Sequence, residues 1–195
     1  MPVTDRDEGL FAATTKEMIS SGDYLNPRFK ARDAFTKPIG VYWAQAAAVL
    51  SIGRDRRNAI WPYRVPSLIA MLLTVAITWQ LGRLMFDNSV ALLSAGILGT
   101  CPLAVVEAHI ATTDAMLLAA CTLVMLCLWL IYRTVNTNEK PTRIVVAGFW
   151  LALGLGVLLK GPVVPAAATL TVCALVILDP LAARRTKLLR ALHPA

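Results

Sequence analysis

The stretch AMLLAACTLVMLCLWLIY (Ala115–Tyr132) runs for eighteen residues without one charged side chain. A helix of about twenty such residues crosses the hydrocarbon core of a bilayer, where every backbone polar group must be bonded internally. Four other apolar runs have a similar length: Val65–Gly82, Ser89–Val106, Ile144–Leu159 and Pro162–Leu178. Together they predict an all-α integral membrane protein, a helical bundle with five spans.

The positions of the charged residues support this interpretation. The chain is 57% hydrophobic and only 16% charged, whereas a soluble domain carries about 25% charged residues. Each charged residue between positions 65 and 178 falls at the end of an apolar run or between two runs. A buried soluble helical domain, which is the alternative, would instead show a polar face along each helix.

A polar head precedes the first clear span. We predict a loop with amphipathic helices at 1–64, a five-helix transmembrane region at 65–178 and a basic tail at 179–195. The Asp5/Glu8 spacing resembles a capping box and begins the first helix, which Ser20–Asp23 ends. Ile39–Ile52 is too short to span comfortably and predicts a helix in the membrane interface, with a sixth span as the alternative.

Charge also bears on orientation and partners. Counted over the whole chain, Lys and Arg leave the orientation open, whereas a count without the long head favours a cytoplasmic tail and an extracytoplasmic head. The net charge is +7, and beside so many apolar runs it indicates an anionic membrane surface or a phosphorylated lipid rather than nucleic acid. The four cysteines lie in apolar runs without metal-ligand spacing, so they are expected to act as small apolar residues.

Several residues in the polar segments could carry chemistry. Asp7 and Glu8 are adjacent carboxylates at a helix start, where they either complement the helix dipole or supply a general base or cation ligand. Lys37 precedes the interfacial helix, as either a snorkelling side chain or a phosphate ligand. Asp114 is either the N-cap of an apolar helix or a functional carboxylate. Lys160, in a tight turn before Pro162, is either an interface anchor or a second cation for the same anion as Lys37.

Ordered segments along the chain resemble one family: Asp7–Ala12, Lys16–Met18, Ser21–Arg28, Phe35–Trp43, Ala111–Ala115 and Leu159–Pro162. They are similar to bacterial glycosyltransferases of the lipid A aminoarabinose transferase type and, more distantly, to protein O-mannosyltransferases. The resemblance implies the multi-span GT-C fold and a polyprenyl-phosphate-linked sugar as donor. It also implies a lipid, glycan or protein acceptor at the periplasmic face of the bacterial inner membrane.

The resemblance also implies roles for individual residues. Asp7 would take the proton from the acceptor hydroxyl, and Glu8 would support it or help to hold a divalent cation. Lys37 would hold the polyprenyl phosphate and stabilise the charge that builds on it, and Lys160 would assist. Asp114 would be a second carboxylate near the sugar. No other cofactor is expected, and inversion at the anomeric carbon follows from one direct displacement.

The chain departs from the family pattern at two positions and in extent. Leu10 stands where the family has Arg, and Thr36 stands where it has Glu, which predicts either a substrate other than lipid A or reduced activity. The family pattern also begins with a span before the Asp-Glu pair and continues through many more spans, so we expect this chain to be a fragment, a sequence with a mis-assigned start or a truncated gene product. A non-catalytic membrane protein derived from the family is the alternative. A transporter is disfavoured because the ionisable residues lie at span ends.

Overall fold

The computed structural model describes residues 6–29, 32–33, 37–53, 57–137, 140–178 and 191–192. Along these residues the elements are α1 (Arg6–Ser21), β1 (Arg28–Phe29), β2 (Arg32–Asp33), α2 (Gly40–Ile52), α3 (Trp61–Met85), α4 (Asn88–Thr100), α5 (Pro102–His109), α6 (Asp114–Thr137), α7 (Arg143–Lys160) and α8 (Val163–Leu178). The two short strands pair antiparallel. The helical prediction is therefore confirmed, with this small hairpin added to the head.

Three helices are long and apolar enough to cross a membrane: α3, α6 and α7. The pair α4 and α5 counts as a fourth if the two helices form one broken span, and α8 is a shorter apolar helix. The five predicted runs thus all form helices, but not five uninterrupted spans.

The second predicted span, Ser89–Val106, was wrong as a continuous helix. It is bent by 59° between α4 and α5. Cys101, at the break, has an extended backbone with φ −60° and ψ 123°. Proline disfavours a helical residue before it and donates no backbone hydrogen bond, so Pro102 ends one helix and begins the next.

The head folds as expected at the level of helices. Gly22 follows α1 with φ 74°, a conformation that glycine adopts without steric cost. As expected of an amphipathic helix, α1 has a buried apolar face, where Phe11 and Met18 are buried with Val41 and Tyr42 of α2. The helix also buries polar side chains, which the amphipathic pattern did not predict: Glu8, Thr14 and Thr15. The Asp5 half of the predicted capping box lies outside the described residues.

By its internal contacts the chain divides into two compact units, 1–119 with 158–160, and 120–157 with 161–195. In the second unit, Gly156 lies so close to Val164 that an added Cβ would be 2.6 Å from the valine Cβ. Gly161 has φ 69° and its N–H donates to the Val157 carbonyl, which confirms the tight turn predicted after Lys160.

Candidate functional site

The Glu8 carboxylate is buried in the first unit and bound on several sides. Oε1 accepts a hydrogen bond from Arg64 Nε at 2.7 Å, and Oε2 accepts one from Arg64 Nη2 at 3.0 Å. Oε1 also accepts the backbone N–H of Ala111 at 3.0 Å. The side chain of Glu8 is 0% exposed and that of Arg64 is 12% exposed. Bidentate Arg–carboxylate pairs of this kind are among the strongest hydrogen-bonded contacts in proteins.

Side chains from the head and from α3 also bind the connection between α5 and α6. Gln45 Nε2 donates to the Ala111 carbonyl at 3.1 Å, and Gln45 Oε1 accepts from the Thr15 hydroxyl at 2.8 Å. The Ser67 hydroxyl donates to the Thr112 carbonyl at 3.3 Å. Groups from α1, α2 and α3 therefore bond to the backbone of Ala111 and Thr112, which lie three and two residues before Asp114.

Asp114 and Lys160 form an ion pair at the ends of two helices. Lys160 Nζ donates to Asp114 Oδ1, and both side chains are partly exposed. Asp114 is the first residue of α6 and Lys160 is the last residue of α7. The predicted N-cap position of Asp114 was wrong by one residue, since the helix already includes it. An acid in the first turn and a base in the last turn each complement the helix dipole.

The two remaining candidates lie at the start of α1 and before α2. Asp7 is exposed in the first turn of α1, beside Glu8. Lys37 is partly exposed. Gly40, at the start of α2, lies so near the last turn of α7 that an added Cβ would be 2.6 Å from the Leu158 carbonyl oxygen. Lys37 and Lys160 therefore lie within a few residues of one backbone contact.

Direct contacts thus join Asp114 to Lys160 and join Glu8 to the segment before Asp114. Asp7 is connected to this group through its neighbour Glu8, and Lys37 through the contact of Gly40. The predicted roles of these five residues stay predictions, because the geometry shows where they lie and not what they bind.

Sequence reasoning assigned no role to three polar residues that this geometry makes prominent: Arg64, Gln45 and Ser67. The sequence shows only that each of the three is a polar residue beside or within an apolar helix, which is a local feature. Their partners were not visible from the sequence. Arg64 meets a residue 56 positions away, and Gln45 meets one 66 positions away.

A divalent cation was left open by the sequence. Among the residues that the structure describes, no group of three or more His, Cys, Asp or Glu could hold a metal ion. We therefore assign no metal ligands and derive no reaction step through a metal.

The chain resembles known proteins over most of its length. Residues 36–193 match the family described as dolichyl-phosphate-mannose-protein mannosyltransferase. Two relatives are named undecaprenyl phosphate-alpha-4-amino-4-deoxy-L-arabinose arabinosyl transferase. The protein from Enterobacter sp. (strain 638) is 28% identical over 80% of this chain and 27% of its own length. The protein from Yersinia enterocolitica is 27% identical over 91% of this chain and 32% of its own length. The chain therefore spans about a third or less of these relatives.

Solved structures agree with the predicted fold. The crystal structure of ArnT from Cupriavidus metallidurans in the apo state is 25% identical, with a TM-score of 0.80 over 99% of this chain and 34% of that one. The structure of the same protein bound to undecaprenyl phosphate gives a TM-score of 0.76 at 23% identity. The multi-span GT-C-like fold expected from the resemblance is thereby confirmed. Because the family match covers most of the sequence, this chain belongs to the dolichyl-phosphate-mannose-protein mannosyltransferase family.

Proposed function

We propose that this chain is part of a multi-pass membrane glycosyltransferase that uses a polyprenyl-phosphate-linked sugar as donor. The observation that carries the proposal is the meeting of Asp114 with Lys160 close to the start of α2, which Lys37 precedes. The Asp114 carboxylate lies beside the Lys160 ammonium. Lys37 is three residues before Gly40, which contacts the last turn of α7 near Lys160. The names of the relatives, and the undecaprenyl phosphate bound to ArnT, support the same donor class.

The proposed reaction is a single displacement at the anomeric carbon. The acceptor oxygen attacks that carbon while the bond from carbon to phosphate oxygen breaks, which inverts the configuration. Asp7 takes the proton from the acceptor hydroxyl, as a general base. The bonding electrons pass to the leaving phosphate, and its added negative charge is stabilised by Lys37 and Lys160.

In this proposal residues 1–64 form an extracytoplasmic catalytic loop, 65–178 the transmembrane region and 179–195 the cytoplasmic tail. The site lies at the periplasmic face of a bacterial inner membrane, next to membrane lipid. With the long head left out of the count, the short loops on the side of the tail and the tail itself carry eight Lys and Arg against Lys160 alone on the other side, which supports this orientation. The acceptor is a lipid, a glycan or a protein, and the departures at Leu10 and Thr36 support one other than lipid A.

The donor-binding and chemical steps can be tested separately in lipid nanodiscs, with a full-length version of the enzyme that contains this chain. Binding of undecaprenyl phosphate, and transfer from an undecaprenyl-phosphate sugar, are measured for the unaltered chain, Asp7→Asn and Lys37→Ala. Lys16→Ala, on the exposed side of α1, is the matched control. We expect Lys37→Ala to weaken binding of undecaprenyl phosphate by about tenfold, because one charge-assisted hydrogen bond is lost. Asp7→Asn keeps binding but lowers transfer by about 10²–10⁴-fold.

Transfer that survives both substitutions would show that the catalytic assignment is wrong. A non-catalytic member of the family is the competing proposal, favoured by the loss of one cation at Leu10 and one anion at Thr36. It predicts that the unaltered chain binds undecaprenyl phosphate and transfers no sugar.

A further inference from the structure

We infer that Glu8 and Arg64 act together as positioning residues that fix the segment before Asp114, rather than as groups that touch the substrate or a cation. The inference rests on the proposed function for the role of Asp114 near the sugar. The geometry of the segment stands without it.

The hydrogen bonds to the Glu8 carboxylate all come from the protein's own groups. Both oxygens accept hydrogen bonds from Arg64, and one of them also accepts from Ala111. The side chain is 0% exposed. A general base or a metal ligand must present a lone pair to the group that it binds, and this carboxylate directs its lone pairs at the protein. Asp7, its neighbour, is exposed.

The peptide groups of Ala111 are bonded to side chains of α1 and α2. Ala111 is 0% exposed and lies between α5 and α6, outside both helices. Its N–H is bonded by Glu8 and its carbonyl by Gln45. A buried backbone group left without a partner is costly, so such side chains determine where an irregular segment lies.

Arg64 is the charged partner of the buried Glu8 carboxylate. A buried carboxylate without a partner pays a large desolvation penalty, and breaking a buried ion pair is more destabilising than replacing both partners by neutral residues. Arg64 therefore acts through Glu8, by keeping it charged and oriented toward Ala111. The next residues along the chain lead to Asp114, at the start of α6, where it meets Lys160.

Two double variants at positions 8 and 64 form a matched pair. Glu8→Gln/Arg64→Met removes both charges and keeps a carbonyl oxygen that can accept the Ala111 N–H. Glu8→Leu/Arg64→Met removes the charges and that acceptor. The two differ in whether position 8 can accept the Ala111 N–H and in the side-chain NH2 group that Gln adds, and neither leaves a buried charge unpaired. Lys16→Ala is again the control on α1.

Two measurements are made on the full chain in nanodiscs. Amide hydrogen exchange in residues 108–116 is expected to be at least about tenfold faster in the Leu/Met variant than in the Gln/Met variant, the effect of one lost buried hydrogen bond. Transfer from the undecaprenyl-phosphate sugar is expected to be at least about tenfold lower in the Leu/Met variant as well. That loss appears in kcat and not in the KM for the donor.

Two results would overturn the inference. If both double variants exchange at the rate of the unaltered chain, the bond from Glu8 does not hold the segment. If the Gln/Met variant exchanges like the unaltered chain but transfers no better than the Leu/Met variant, the charge itself is needed, as in catalysis or cation binding. A full-length version of the enzyme that transfers no sugar would contradict the proposed function, and the exchange measurement would still decide the positioning role.

Discussion

Lys160, the last residue of α7, donates a hydrogen bond to the carboxylate of Asp114, the first residue of α6. The partial positive charge at the start of α6 and the partial negative charge at the end of α7 favour these two side chains. Both remain partly exposed, so a phosphate can approach them. Such a phosphate would share the ammonium of Lys160 with Asp114, which already binds it.

Removing the charge of either partner should therefore change phosphate affinity in opposite directions. Asp114→Asn removes a competing anion and is expected to strengthen binding of undecaprenyl phosphate by up to about fivefold, the upper range for a partly exposed ion pair. Lys160→Ala removes the cation and weakens binding. Titration of labelled undecaprenyl phosphate into the chain in nanodiscs measures both changes.

Asp87→Asn is the matched control for the loss of one carboxylate at a helix start. Asp87 caps α4, where its Oδ1 accepts the N–H groups of Ser89 and Val90. Asparagine caps equally well, so the helix should be retained. Equal effects of Asp87→Asn and Asp114→Asn on affinity would mean that only the net charge matters. Weaker binding after Asp114→Asn would exclude the competition between Asp114 and phosphate.

The sequence predicted the helices well where the cause is local. The apolar runs gave the helices, and Gly22 and Gly161 marked two helix ends through backbone conformations that glycine adopts easily. Pro102 was also visible, but the hydrophobic run around it was read as one span. The effect of a proline on the residue before it proved stronger than the continuity of the apolar run.

The candidate site was less accessible from the sequence. Asp114 and Lys160 were named separately, from their positions at the ends of apolar runs and again through the family resemblance, and their ion pair was not predicted. Glu8 was read with Asp7 as a chemical pair because the two are adjacent along the chain. Burial separates them, since Glu8 is bonded to Arg64 and Ala111 while Asp7 is exposed. Such a difference depends on tertiary contacts between residues that are distant in sequence.

Gly40 should be intolerant of a side chain. A Cβ added there would lie 2.6 Å from the Leu158 carbonyl oxygen, a backbone atom that cannot turn away. Gly40→Ala is expected to lower the free energy of unfolding by about 1–3 kcal/mol, as overpacking does. Gly96→Ala is the control, because an added Cβ there meets nothing within 4 Å, and alanine favours the helix by about 0.5–1 kcal/mol. Unfolding in mixed micelles compares them, and equal stabilities would contradict the close packing at Gly40.

The loop after α1 should lose order at low pH. Asp23 accepts hydrogen bonds from the Asn26 side chain and from the backbone N–H groups of Asn26 and Leu25. These bonds, led by that of the Asn26 side chain, hold the pKa of Asp23 below its usual range. Because the pKa of Asp23 is lower in the folded state than in the unfolded state, these bonds stabilise the loop at pH values above the unfolded pKa. This stabilisation is lost as the pH falls through the folded pKa.

The titration is measured from the chemical shift of the Leu25 amide. Its midpoint is expected below the ordinary aspartate value of about 3.9. Asn26→Ala should move that midpoint upward, because it removes the largest cause of the shift. A midpoint that Asn26→Ala leaves unchanged would rule out the side-chain bond as this cause.

Gln45 should be coupled energetically to Thr15 through one shared amide. Its Oε1 accepts from the Thr15 hydroxyl and its Nε2 donates to the Ala111 carbonyl. Thr15→Val leaves one buried amide oxygen without a partner, and Gln45→Met leaves the Ala111 carbonyl without one. Each is expected to cost about 1–3 kcal/mol of unfolding free energy. The double variant should cost clearly less than the sum of the two, because the Thr15→Val change no longer deprives any polar group once Gln45 is gone. The four free energies, measured by unfolding in mixed micelles, give the coupling directly, and strict additivity would show that the two side chains act independently.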